Sequence, residues 1–152
     1  MPQTLSYNLN HGNPSALMFE TAMRFEKTSE MAQTPDGKLA NLPNELNTLE
    51  IGMYGDDADF YRLKAIVDSL LTHFNETGKY APDGDGYFHP GRKARVSVNG
   101  KALGQLGEIH PDVAAAFDMA GKRVYIAEID LGTLDECEPP IEAPKPIPKF
   151  PA

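Results

Sequence analysis

Hydrophobic and polar residues alternate with two different periods along this chain, and the switches between them mark out the elements. Leu5 and Leu9 stand four apart before His11-Gly12-Asn13-Pro14, which predicts the end of a helix. So short a helix is marginal in water, which predicts that it begins inside a longer element. Leu17, Phe19, Thr21, Met23 and Phe25 then fall on one side of a two-residue repeat opposite Met18, Glu20, Ala22, Arg24 and Glu26, predicting a half-buried strand. The polar stretch from Thr28 to Asn44, with Pro35-Asp36-Gly37, predicts a loop. A second strand is expected over Thr48 to Tyr54, ended by Gly55-Asp56-Asp57.

Phe60, Leu63, Val67, Leu70, Leu71 and Phe74 recur at three- and four-residue spacing, the clearest helical stripe in the chain. Asp59 is its expected N-cap, Asp56 and Asp57 suit the positive end of its dipole, and Gly78 offers a stop. After Pro82-Asp83-Gly84-Asp85-Gly86, the alternation of Ala94, Val96 and Val98 before Asn99-Gly100 predicts a tight hairpin. Gly104 and Gly107 in the return strand, Ala102 to Ile109, call for a bulge or a close backbone approach. Pro111 suits the first turn of a short helix ending near Gly121. Val124 to Leu131 is apolar on both alternations, as in a central strand, which puts Glu128 and Asp130 in costly surroundings. The order of elements predicts an α+β fold, a mainly antiparallel or mixed sheet flanked by helices. Six of the 13 prolines lie between Pro139 and Pro151, so residues 1–138 form the expected domain and 139–152 an extended strap or linker.

Composition narrows the function. With 152 residues, 41% apolar and 24% charged, the chain can close one core. Its 14 Lys and Arg against 22 Asp and Glu give a net charge of -8, which disfavours nonspecific binding to phosphate backbones or anionic lipid. The longest apolar run is Val113 to Phe117, and Met1-Pro2-Gln3-Thr4 has neither part of a signal peptide, so no membrane or targeting segment is read. A single cysteine, Cys137, fits a reducing cytoplasm, and its acidic neighbours Asp135, Glu136 and Glu138 argue against a reactive thiolate.

Few motifs carry chemistry. Gly86 to Gly91 has the spacing of a phosphate loop, but Arg92-Lys93 stands where Lys-Ser/Thr is required and a strand follows. Gly104-Gln105-Leu106-Gly107 matches an RNA-clamping loop only superficially, since it lies in a strand. His11, His73, His89 and His110 lack metal-ligand spacing, so no metal site is expected. The constellation worth weighing is Phe88-His89-Pro90-Gly91-Arg92 with Glu108-Ile109-His110-Pro111, which the Asn99-Gly100 turn brings together. His89, Arg92, Glu108 and His110 could serve as an acid/base or anion site. The favoured reading is structural, an Arg92 to Glu108 ion pair with histidine hydrogen bonds fixing the strand ends.

Taken together, these segments resemble the beta subunits of bacterial phenylalanyl-tRNA synthetases, just ahead of their C-terminal anticodon-binding-type domain. The resemblance is carried by Tyr7-Asn8-Leu9-Asn10-His11-Gly12-Asn13, Asp59-Phe60-Tyr61-Arg62-Leu63-Lys64, the two His-Pro segments with Gly104-Gln105-Leu106-Gly107, Val124 to Leu131, and Pro146 to Ala152. It covers nearly the whole chain, and implies that the chain is a piece of such a subunit stopping where the next domain would begin. It further implies a class II synthetase-like sheet within an assembly of two alpha and two beta subunits that joins phenylalanine to tRNA(Phe). ATP-dependent adenylation would belong to the alpha subunit, while editing and the beta subunit's magnesium site would lie in domains outside these residues. This module would be scaffold and subunit interface, without cofactor or catalytic residue of its own. Arg24-Phe25-Glu26 resembles the second synthetase motif, although the family more often carries its basic residue one place earlier, where Met23 stands here. The last strand leads into acidic Leu131-Gly132-Thr133-Leu134-Asp135-Glu136 rather than an arginine. Two rival readings stay open: a freestanding enzyme using His89, Arg92, Glu108 and His110, and local tRNA contact through Arg92, Lys93, Arg95 and Lys101.

Overall fold

A computed structural model describes residues 1–27, 32–33, 39–40 and 43–137. Four helices and eight strands are described: α1 (Pro2–Asn10), β1 (Ala16–Glu26), β2 (Ala32–Gln33), β3 (Leu39–Ala40), β4 (Asn44–Tyr54), α2 (Phe60–His73), β5 (Lys79–Ala81), β6 (Phe88–Val98), β7 (Lys101–Ile109), α3 (Pro111–Ala116), β8 (Val124–Asp130) and α4 (Leu131–Asp135). Six strands form one sheet in the order β1-β4-β8-β7-β6-β5, with every neighbouring pair antiparallel. β2 and β3 make a separate two-stranded pair. The α+β class and the antiparallel sheet are as the patterns predict. The strap assigned to 139–152 lies outside the described residues.

Alternation along the strands gives the sheet two apolar faces. On one, α2 and α4 lay Leu63, Val67, Leu71 and Leu134 over Ile51, Met53, Val96, Val98, Leu106, Tyr125 and Ile129. On the other, α1 and α3 place Met1, Leu5 and Ala114 with Tyr54, Phe88, Ile109 and Ile126. Gly52 makes room for α1, because a Cβ there would sit 2.7 Å from Met1 and 2.8 Å from Leu5. Asp59 caps α2, accepting the Arg62 amide at 2.6 Å. Of the six residues in its stripe, Leu63, Val67 and Leu71 are fully buried; Phe60, Leu70 and Phe74 are half-buried. The helix stops at a Phe74 cap rather than at Gly78, and Asn75 takes a positive φ of 58° immediately after.

The hairpin forms at Asn99-Gly100 as expected, with φ of 52° and 81°, the left-handed pair that a tight turn demands. Gly104 meets the predicted close approach: a Cβ there would lie 1.9 Å from the Glu128 carbonyl oxygen. A register irregularity falls nearby, between Val96 and Ser97 of β6. Several elements differ from expectation. β2 and β3 lie within the stretch expected to be a loop, β4 begins at Asn44 rather than Thr48, and β6 begins at Phe88, ahead of the alternation that starts at Ala94. β5 and α4 are additional, and α4 is started by Asp130, whose side chain accepts the Gly132 amide at 2.9 Å and the Thr133 hydroxyl at 2.9 Å. A further difference is β1. It was expected to be half-buried on its Leu17-Phe19-Met23-Phe25 side, yet those residues are 51%, 76%, 55% and 60% exposed. The reason is position. β1 is the edge strand, and α2 covers the sheet only as far as β4, leaving the β1 flank as one wall of an apolar groove with Leu49, Ile51, Ile66 and Leu70. β1 and β4 also run on past the end of β8 as a ribbon in which Met23–Glu26 pair with Asn44–Asn47 alone.

Candidate functional site

The Arg92 to Glu108 pair expected across the hairpin is present at 2.9 Å. Register brings it about, since Lys93 pairs with Gly107 and an irregularity between Phe88 and Lys93 loops Arg92 beside Glu108. Glu108 is 4% exposed and engages a second cation that the sequence reading did not select, Arg123, through Nε at 3.1 Å and Nη2 at 2.8 Å. Arg123 immediately precedes β8, in which Tyr125 pairs with Glu108. That register was the signal for it, and it exists only once the sheet is assembled. Burial by itself would raise the Glu108 carboxyl, but hydrogen bonding from Arg123 and the charges of Arg123 and Arg92 hold it below the ordinary carboxylate range. The buried Tyr125 hydroxyl has no hydrogen-bond partner, and burial, then the neighbouring Glu108 carboxylate, push it above its ordinary value.

The two histidines take a different part. His89 Nδ1 accepts the Gly91 amide at 3.1 Å, and His110 Nδ1 accepts the Asp112 amide at 3.3 Å as the N-cap of α3. They fix the turns next to the ion pair and make no hydrogen bond to Arg92 or Glu108. The arrangement is one buried carboxylate between two guanidinium groups, with the two histidines as backbone caps beside it.

A second concavity lies on the sheet face beyond the reach of α1 and α3. It is an open cleft of about 540 Å³ whose walls include Arg24, Glu26, Asp85, Arg95, Glu128 and Asp130. Its floor is a polar network centred on Gln105, which is 5% exposed. Gln105 Nε2 lies 2.8 Å from Asp85, 2.7 Å from the Tyr87 hydroxyl and 2.9 Å from Glu128, and Oε1 accepts the Asp85 amide at 3.0 Å. Burial, then Glu128 and Asp85, push the Tyr87 hydroxyl far above its ordinary value, so it stays protonated. Thus Glu128 answers its surroundings with hydrogen bonds, and Asp130 by capping α4. Arg24 lies 2.8 Å from Glu26 and 3.5 Å from Glu128, and Arg95 is bound to Asp83 at 2.9 Å and Asp85 at 3.0 Å. Nothing in the one-dimensional pattern marked Tyr87, Gln105 and Glu128 as one unit.

The four residues weighed for tRNA contact are each engaged within the chain. Arg92 pairs with Glu108, Lys93 donates to the Gly84 carbonyl at 2.7 Å, Arg95 pairs as above, and Lys101 meets Glu136 at 2.5 Å. Cys137 is half-buried and donates to the Thr133 carbonyl at 3.2 Å. Among the described residues no group of three or more His, Cys, Asp or Glu side chains could hold a metal ion. No described helix is long and apolar enough to cross a membrane.

Comparison with known proteins agrees with the motifs. The sequence profile of the phenylalanyl tRNA synthetase beta chain CLM domain matches residues 1–131. The phenylalanine–tRNA ligase beta subunit of Clostridium tetani is 38% identical over 154 aligned residues, covering 100% of this chain and 18% of the relative. Those of Clostridium acetobutylicum and Symbiobacterium thermophilum are 34% and 33% identical, covering 99% and 96% of this chain. The chain spans about 18% of the length of the first two of these relatives. A profile that takes in α1 through the end of β8, the whole six-stranded sheet with it, places the chain in the family of phenylalanyl tRNA synthetase beta chain CLM domains.

Proposed function

We propose that this chain is a noncatalytic module of a phenylalanine–tRNA ligase beta subunit, a class II synthetase-like sheet that holds the alpha subunit and the rest of the beta subunit in place. The observation that carries this reading is the state of the cations in the sheet-face cleft. An adenylating site needs positive groups aimed at the charge that develops on a triphosphate. Here Arg24 is paired with Glu26 and Glu128 and Arg95 with Asp83 and Asp85, and Asp130 adds further negative charge. By resemblance, ATP and magnesium act elsewhere in the assembled cytoplasmic enzyme, where phenylalanine is joined to tRNA(Phe).

The test has two arms. Titration of the chain with ATP or phenylalanine should release no heat above dilution, and ATP–pyrophosphate exchange should be absent. In the full beta subunit, deletion of residues 1–131 should abolish co-purification of the alpha subunit. Exchange activity in the isolated chain, or retention of alpha by the deleted subunit, contradicts the assignment.

A further inference from the structure

The residues that suit Asn99-Gly100 to its tight turn also make a chemically reactive peptide link. Asn99 is the only asparagine followed by glycine in the chain, and both residues are exposed at the tip of the β6–β7 hairpin. Glycine has no side chain to shield its nitrogen, and a Cβ built on Gly100 would meet nothing within 4 Å. Among the described residues the Gly100 amide donates no hydrogen bond. Its nitrogen is open to water and stands one residue from the Asn99 side-chain amide carbon.

One contact opposes their reaction. Asn99 Nδ2 donates to Glu76 Oε1 at 2.9 Å, and Glu76 is tied to the end of α2 by its own amide, which donates to the Leu71 carbonyl at 2.9 Å. Any rotation of the Asn99 side chain away from Glu76 breaks this bond, and Nδ2 is the group that must leave. Attack by the deprotonated Gly100 nitrogen also builds an oxyanion on the Asn99 side chain, and the Glu76 carboxylate beside it disfavours that charge.

We propose that Asn99 is a site of spontaneous deamidation, driven by the Gly100 nitrogen and slowed by Glu76. Hydroxide takes the proton from the Gly100 nitrogen, which bonds to the Asn99 Cγ. The Cγ–Nδ2 bond then breaks, and Nδ2 leaves as ammonia with a proton from water. Water opens the cyclic imide at either carbonyl, giving aspartate or β-linked isoaspartate. Aspartate sets a second carboxylate against Glu76, where the amide had donated to it. Isoaspartate adds a backbone carbon to a two-residue turn, which cannot then hold Val98 opposite Lys101. Val98 is fully buried, so the disturbance reaches the core beneath α2.

The test is to age the 152-residue chain in mildly alkaline buffer and map its peptides by mass spectrometry. A gain of about 1 Da should appear at Asn99 before it appears at Asn8, Asn10, Asn47 or Asn75. An isoaspartate-specific methyltransferase should label the same peptide, and the aged fraction should melt below fresh protein. Glu76→Ala should convert about threefold faster or more, as expected for loss of one hydrogen bond. Far-UV circular dichroism checks that this variant is folded; if it is not, Glu76→Gln, which removes the charge at equal size, takes its place and should also convert faster than wild type. An Asn99 that outlasts the other asparagines, or a folded Glu76 variant that converts no faster than wild type, overturns the proposal.

Discussion

Arg123 grips the buried carboxylate of Glu108 with two hydrogen bonds to the same oxygen, at 3.1 and 2.8 Å, leaving the other oxygen to Arg92 at 2.9 Å. The carboxyl is held ionised below its ordinary range, so the unfolded state binds more protons in acid. Stability from this clamp is complete above the unfolded carboxylate value and is lost as pH falls through the folded one. Glu108→Gln should cost about 1–2 kcal/mol at pH 7, since both arginines can return to water. Urea unfolding should show the gap between the two proteins narrowing as pH falls below the carboxylate range. A gap independent of pH would contradict the clamp.

Tyr125 presents the opposite case. Its hydroxyl is buried without a partner, so its desolvation is uncompensated. Tyr125→Phe should leave thermal stability unchanged or raise it by up to about 1 kcal/mol. A clear loss would show that the hydroxyl bonds to Glu108 in solution.

Two glycines separate backbone approach from chain freedom. Gly104→Ala drives a methyl against the Glu128 carbonyl, which is backbone and cannot rotate away, so β7 and β8 must part. It should cost about 3 kcal/mol or more, comparable with severe overpacking. Gly86→Ala meets nothing within 4 Å and should change the urea midpoint little.

On α2, burial ranks the outcomes. Leu71→Ala empties a fully buried position and should cost about 2–5 kcal/mol, whereas Leu70→Ala, half-buried beside the β1 groove, should cost less. Removing the cap with Asp59→Ala should cost about 1 kcal/mol. Thermal melts of the three variants should follow this order.

These contrasts show where the one-dimensional pattern was informative. The α2 stripe, the Asn99-Gly100 turn and the Arg92–Glu108 pair each depend on residues near in sequence or joined by one tight turn, and the close approach at Gly104 is marked by the glycine itself, although the backbone it meets belongs to β8. All four are legible. Arg123 reaches Glu108 only through the β7–β8 register, and the Gln105 network draws on the β5–β6 connection, β7 and β8 together. Local periodicity holds no trace of such pairings. The exposure of the β1 face is hidden for a related reason: alternation reports that a strand has an apolar side, and the breadth of α2 decides whether that side is covered.

The ribbon formed by Met23–Glu26 and Asn44–Asn47 has a consequence of its own. Among the described residues it has no third strand and supplies nothing to either core, so substitutions in it should cost less folding stability than those in the body of the sheet. Replacements at its outward positions should therefore be tolerated more readily than replacements in the platform behind it, with Arg24, 3.5 Å from Glu128, the ion pair that ties it back.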